Sequence, residues 1–150
     1  MVFQWKEGTR HKVDPNIAGA MCSDMEKAGK LTAENLVEAN RPKDAPLHAE
    51  FDWNNTVAAE KWRCHQARNI INSIVIVGED QPKVEAVRCF FRVEATAPNY
   101  ESVSTIVRNE DKYAKLIEQA LRELIAFKKK YAQVKELSGV FLAIEELEGV

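Results

Sequence analysis

The stretch that decides the fold is FDWNNTVAAEKWRCHQAR, residues 51–68, because it begins like a helix and then places an arginine among apolar positions. Apolar residues recur at helical spacing from here onward, which commits one face of a helix to burial. They are Ala59, Ala67, Ile70, Ile71 and Ile74. Successive helical side chains point about 100° apart, so Arg63 falls inside this face.

A guanidinium at this position requires a partner, because an unpaired charge in the protein interior is very costly. In one arrangement, Asp52 or another carboxylate folds back and pairs with Arg63 in a charge-assisted bond. In the other, Arg63 is exposed in a groove beside Gln66 and Arg68, where it receives a phosphate or the carboxylate of a partner. The sequence leaves both arrangements open.

Two further helices are predicted upstream of this stretch. Asp14 and Pro15 are typical of a helix cap and a first-turn proline, and this first helix should end at Gly29. Thr32 is predicted to cap a second helix over residues 33–40. Together they form an N-terminal helical hairpin, and a polar, proline-bearing loop connects it to the third helix.

After the third helix the apolar period changes from 3.6 to 2, which predicts strands. Residues 74–77 and 87–93 are predicted to form a β-hairpin around the turn-like GEDQPK, with a third strand over residues 100–106. Alternation along the second strand places Val87, Cys89, Phe91 and Val93 towards the core. The same alternation places Arg88, Phe90 and Arg92 on the opposite face.

The strongest periodic signal lies in the last third of the chain. Asn109 is predicted to cap a long amphipathic helix whose apolar stripe continues to Val134, and a break around Ser138 and Gly139 precedes a last apolar helix. These two helices should pack on each other or on the sheet. We therefore predict a single α+β domain over residues 1–150, in which a small antiparallel β-meander packs against helices.

Composition narrows the class of protein. The 150 residues are 45% hydrophobic and 29% charged, as in a globular domain, and no run is long and apolar enough for a membrane span or a signal peptide. Three cysteines far apart in sequence indicate reduced thiols, so a cytoplasmic location is predicted. No spacing typical of a nucleophile, a phosphate loop, a metal site or a cofactor is present, so we expect no enzymatic activity and no cofactor.

Aromatic and basic residues indicate two candidate surfaces. Tryptophan and arginine are enriched in interface hot spots, so Trp53, Trp62, Arg63 and Gln66 are predicted to bind a partner protein, unless another element of the chain covers them.

The alternative surface binds nucleic acid through Arg88, Phe90 and Arg92, joined by Arg68, because aromatic and basic residues on an open sheet can stack bases and hold phosphates. If a helix covers that face, Phe90 belongs to the core instead. The net charge of −2 lacks the strongly basic footprint of a nucleic-acid binder, so a protein partner or self-association is favoured.

Three segments resemble a family of small proteins of unassigned function that bacteriophages and prophages encode. They are LTAENLVEANRP, APLHAEFDWNNTVAAEKWRCHQARNIINSI and LIEQALRELIAFKKKYAQVKEL. The resemblance implies a phage genomic origin and an accessory role, and it supplies no catalytic or ligand residues. We therefore expect a non-enzymatic accessory protein that acts as an interaction module in the host cell or in the virion, by binding a phage or host protein or itself.

Overall fold

The computed structural model describes residues 2–54, 56–77, 86–93 and 98–149. The fold is α+β, as predicted, with six α-helices and two small antiparallel sheets in the described part of the chain. Internal contacts divide the chain into two compact units, Met1–Thr105 and Ile106–Val150. Its organisation as a single domain stays a prediction.

The first unit contains three capped helices. They are α1 (Pro15–Lys27), α2 (Ala33–Ala39) and α3 (Val57–Ser73). The predicted caps at Asp14 and Thr32 are confirmed, because their side chains accept hydrogen bonds from backbone N–H groups of the first turns. Thr56 does the same for α3. Gly29 follows α1 with a φ of +69°, a conformation that favours glycine.

A three-stranded antiparallel sheet lies beside these helices. Its order is β1-β2-β3, formed by β1 (Val2–Trp5), β2 (Ile74–Val77) and β3 (Val87–Arg88). The pairing of β2 with β3 confirms the first part of the predicted hairpin, whereas its GEDQPK turn lies outside the described residues. Phe3 of β1 lies so close to Gly19 of α1 that a β-carbon there would come within 2.1 Å of the phenyl ring.

The prediction of one continuous strand over residues 87–93 was wrong, and so were the faces that it assigned to Val87 and Phe90. It divides into β3 and β4 (Phe90–Phe91), which belong to different sheets. Between them, Cys89 donates its N–H to Ile74 O and accepts from Val103 N. The strand therefore changes partner at this residue, and strict alternation is lost. Val87 is 57% exposed as a result, whereas Cys89 and Phe90 are both buried.

The predicted third strand is mostly helical. Only β5 (Glu101–Ser102) pairs with β4, and α4 (Val103–Val107) follows at once. The Ser102 hydroxyl accepts a hydrogen bond from Thr105 N, so it stabilises the first turn of this helix. A local capping interaction therefore ends the strand after two residues.

The core of the first unit lies between the helical hairpin, α3 and the strands. Its fully buried side chains include Ala18, Cys22, Leu31, Leu36, Leu47, Ala67, Ile71, Ile74 and Phe90. The apolar positions predicted for α3 are confirmed, because Ala59, Ala67, Ile70 and Ile71 are all buried. Arg63 is buried in the same face, with 5% of its surface exposed.

The second unit is formed mainly by two helices that pack on each other, α5 (Glu110–Lys130) and α6 (Ser138–Glu148). Asn109 caps α5 as predicted, by accepting from Lys112 N. The predicted break lies earlier than expected, because Ser138 and Gly139 already belong to α6. Phe127 and Phe141 contact each other with ring centroids 6.4 Å apart.

Candidate functional site

Arg63 is bonded to groups of its own chain on both Nη atoms. Its Nη2 group forms an ion pair with Glu60 of the same helix. Its Nη1 group donates to two backbone carbonyls of the segment that precedes α3, at 3.1 Å to Asp52 O and 2.7 Å to Asn54 O. Arg63 therefore fixes this segment against α3, and its charge is compensated inside the protein.

Glu60 also contacts Arg41, which follows α2, so one carboxylate bridges two arginines. The hydrogen bond from Arg63 is the main reason why the pKa of Glu60 is lowered, with a further contribution from Arg41. The pKa of Arg41 is raised, chiefly by its hydrogen bond with Glu38. This network joins the end of α2 to the start of α3.

Trp53 is half-buried on top of this network. Its Nε1 donates to His48 O at 2.8 Å, and its ring stacks on the His48 ring with centroids 4.7 Å apart. The guanidinium of Arg63 lies 5.3 Å from the centre of the same ring, a distance at which cation–π attraction is effective. Trp53 therefore packs on the core and shows one edge to solvent.

Trp62 is the exposed aromatic residue of this region, with 49% of its surface accessible. Its Nε1 donates to Asp52 Oδ2 at 2.8 Å, and Gln66 Nε2 donates to the same oxygen at 3.2 Å. Gln66 Oε1 in turn accepts from Asp52 N at 3.1 Å. The Asp52 carboxylate thus orients Trp62 and Gln66. The predicted arrangement in which a carboxylate of the protein pairs with Arg63 is confirmed, with Glu60 rather than Asp52 as the partner.

The structure brings the four predicted partner-binding residues together, but they differ in their exposure to solvent. Trp62 is exposed, and Gln66 and Trp53 are partly exposed. Arg63 as a direct contact was a wrong expectation, because the guanidinium lies beneath the surface and its Nη groups are already bonded. Binding of a partner by the other three stays a prediction.

The alternative, basic and aromatic surface is not assembled as predicted. Phe90 is 1% exposed, so it cannot stack a base, and the reading in which it belongs to the core is confirmed. Arg88 donates to Phe90 O and to Asn72 Oδ1 and lies over the Phe91 ring. Arg92 alone of the three predicted residues in this segment is exposed.

Arg68 lies elsewhere in the first unit. It pairs with Glu34 at 3.8 Å, at the wall of a groove of about 360 Å³ that Glu60, Lys61 and Cys64 also line. The two glutamates place negative charge beside the arginine, which disfavours a phosphate there. Nucleic-acid binding stays an alternative prediction.

The second unit presents a surface that sequence reasoning assigned to the protein's own packing. Six apolar residues of α5 and its C-terminal cap follow one another at intervals of four, three, four, three and four residues, and we call them the seam. They are Tyr113, Ile117, Ala120, Leu124, Phe127 and Tyr131. All six are exposed, and no residue of α5 is buried.

The spacing of the seam is informative by itself. An alternation of three and four residues is the heptad pattern that places apolar side chains along one line of a helix, facing a second helix. The longer stripe that continues to Val134 was predicted from the sequence, but its exposure was not. The available signal was the strict heptad spacing within that stripe, which is typical of a helix–helix interface.

Comparison with known proteins finds no matching family model, no similar curated protein and no similar solved structure. In the described part of the chain, no helix combines the length and apolarity that crossing a bilayer requires. Among the same residues, no group of three or more histidine, cysteine or acidic side chains is arranged to hold a metal ion.

Proposed function

We propose that this protein is a non-enzymatic interaction module that binds another protein chain through the seam of α5. The observation that carries the proposal is a heptad seam in which every residue is exposed, on a 21-residue helix that has no buried residue. Helices of this amphipathic kind obtain most of their stability in water from covering the apolar face. A seam that its own chain covers only in part, with Phe127 in contact with Phe141, is therefore a suitable binding surface for a partner helix.

The size of the exposed surface supports a macromolecular partner. The five large seam residues expose between 36% and 51% of their surface. With about 200 Å² for a whole large side chain, this amounts to on the order of 400 Å². The largest apolar patch on a monomeric protein is about 300–600 Å² and is often functional. A flat, elongated patch of this kind fits a helix better than it fits a small molecule.

The cellular role rests on the resemblance to phage and prophage proteins. It favours an accessory protein that acts in the cytoplasm of a bacterial host, with Trp53, Trp62 and Gln66 as a second contact surface in the first unit. The thiols of Cys22, Cys64 and Cys89 are free, which is compatible with the proposed reducing compartment.

A matched pair of variants tests the proposal. Leu124→Lys places a charge in the middle of the seam, whereas Ala126→Lys places the same charge at an exposed position outside it. The tagged full-length chain is captured from bacterial cells, with and without nuclease, at low and moderate salt. We expect a discrete protein, either another copy of the chain or a different one, to be retained by the wild type and by Ala126→Lys.

The same protein should be lost with Leu124→Lys, because a lysine buried against an apolar partner is costly. Equal recovery with both variants would contradict the proposal. Recovery of nucleic acid that is lost with salt would favour the alternative instead, since displaced counterions dominate such binding. In that case, reversing the charges of Arg88 and Arg92 together should abolish binding.

A further inference from the structure

The geometry points to a second copy of this chain as the occupant of the seam, with two α5 helices paired in antiparallel orientation. This inference rests on the proposed function, because it specifies the partner of the same surface. Three properties of the seam carry it: the size of its residues, the charge at the two ends of the helix, and the apolar area.

The residues of the seam match one another when the sequence is reversed. In an antiparallel pair centred near Arg122, Leu124 of one copy lies opposite Ala120 of the other, so a large side chain meets a small one. Ile117 then lies opposite Phe127. Each layer combines residues of different size, as close packing between helices requires.

The outermost layer of the same arrangement pairs Tyr113 of one copy with Tyr131 of the other. A parallel pair would instead place each residue opposite itself. Ala120 would then face Ala120 and leave a gap in the middle of the interface. The size pattern therefore favours the antiparallel orientation over the parallel one.

Charge favours the same orientation. The first turn of α5 carries Glu110 and Asp111, and the last turn carries Lys128, Lys129 and Lys130. Antiparallel pairing brings the acidic end of each helix towards the basic end of the other, and it also opposes the two helix dipoles. Parallel pairing would bring Lys129 and Lys130 of one copy beside those of the other, whereas Lys128 is already paired with Glu148 of α6 at 2.9 Å. Like-charged ends of this kind repel each other.

The apolar area of the seam supplies part of an interface. It is on the order of 400 Å² per chain, about half of the roughly 800 Å² that each partner buries in a standard interface, so the pair must also bury neighbouring surface. Val140 and Leu147 of α6 are also exposed, at 46% and 54%, and belong to the same unit. Polar residues along both edges of α5 would supply the rim.

Sedimentation equilibrium of the full-length chain over a dilution series tests the association. The chain has a mass of 17.0 kDa, so the pair should sediment at twice this mass. Leu124→Lys should raise the dissociation constant by roughly a hundredfold or more, because it buries two unpaired charges near the twofold axis. Ala126→Lys should change it by less than about threefold. Circular dichroism shows whether each variant keeps its helices.

Disulfide crosslinking tests the orientation without depending on the stability of the lysine variants. In a Cys64→Ser background, chains carrying Tyr113→Cys are mixed with chains carrying Tyr131→Cys. The antiparallel pair should form the mixed crosslink, because these positions lie opposite each other within disulfide reach. Tyr113→Cys alone should not crosslink, since its two copies lie about 27 Å apart at 1.5 Å per residue.

A chain that stays monomeric at every concentration would overturn the inference, as would a dimer that Leu124→Lys leaves unchanged. Efficient self-crosslinking of Tyr113→Cys would overturn the antiparallel orientation. A monomeric chain that still captures a different protein through the seam would refute the second copy but leave the proposed function in place. The loss of both self-association and seam-dependent capture would refute both.

Discussion

Replacement of Arg63 by methionine should destabilise the first unit strongly, because this arginine connects α3 to the preceding segment. Methionine keeps an unbranched apolar stem that reaches about as far as the arginine Nε, and it removes every donor. The carbonyls of Asp52 and Asn54 each lose a hydrogen bond from a charged group, at 3.1 and 2.7 Å. Bonds of this kind contribute about 1.5–3 kcal/mol each.

The ion pair with Glu60 adds little to this sum, because the Glu60 side chain is 44% exposed and solvent screens the interaction. The buried Nε of Arg63 has no hydrogen-bond partner among the described residues, so its removal costs nothing in lost bonds. We therefore expect Arg63→Met to lower the free energy of unfolding by about 3 kcal/mol. Arg63→Lys should be intermediate, because an ammonium group cannot reproduce the planar fork.

Urea unfolding followed by tryptophan fluorescence measures this effect in the appropriate part of the chain, because all three tryptophans lie within residues 1–105. A loss of about 3 kcal/mol shifts the midpoint by about 2 M for an m-value of ~1.5 kcal/mol/M. Arg41→Met is the matched control, since it removes the exposed arginine on the same glutamate and should leave the midpoint nearly unchanged. Equal midpoints for the Arg63 and Arg41 variants would refute the assignment of Arg63 as the structural connection.

Three further predictions concern the first unit. Trp62→Ala should leave the urea midpoint nearly unchanged, because Trp62 is half exposed. The same variant should weaken the capture of any partner that uses this surface. A large loss of stability would instead make Trp62 a core residue. Burial raises the pKa of Cys22 and of Cys89 to about 12. A thiol reagent at about pH 8 should therefore label only Cys64 in the native protein, and all three cysteines in denaturant. Labelling of all three cysteines at equal rates in the native protein would contradict the burial of Cys22 and Cys89. Arg63 lowers the pKa of Glu60, so the contribution of Glu60 to stability is present above about pH 4.3 and is lost as the pH falls through the lowered pKa. The Glu60→Gln variant should therefore lose less stability on acidification than the wild type. An identical pH dependence of the two proteins would argue against the ion pair.

Local interactions explain why the helices could be predicted from the sequence. The caps at Asp14, Thr32 and Asn109 depend on residues within one turn, and each forms the hydrogen bond that its position predicts. The helical period placed Arg63 in the apolar face of α3 in the same way, but it left open whether the guanidinium was buried or exposed in a groove. The carboxylate that pairs with Arg63 could not be predicted, because Glu60, on the same helix, and Asp52 were both within reach.

Long-range pairing explains what could not be predicted from the sequence. The alternation from Val87 onward indicated one strand, but Cys89 bonds to Ile74 on one side and to Val103 on the other, and only the folded chain brings these together. Phe90 is therefore in the core. For α5, an apolar stripe has the same sequence signature whether its own chain or a partner covers it, so its exposure required the structure.

Photo-crosslinking in living cells shows directly whether the seam of α5 binds a protein. A photoreactive phenylalanine analogue is introduced at Phe127, in the seam, and separately at Ala126, outside it, and the adducts are identified by mass spectrometry. We expect a discrete protein adduct from position 127, from this chain or from another, and little or none from position 126. The absence of a protein adduct from position 127, or equal adducts from both positions, would contradict binding through the seam.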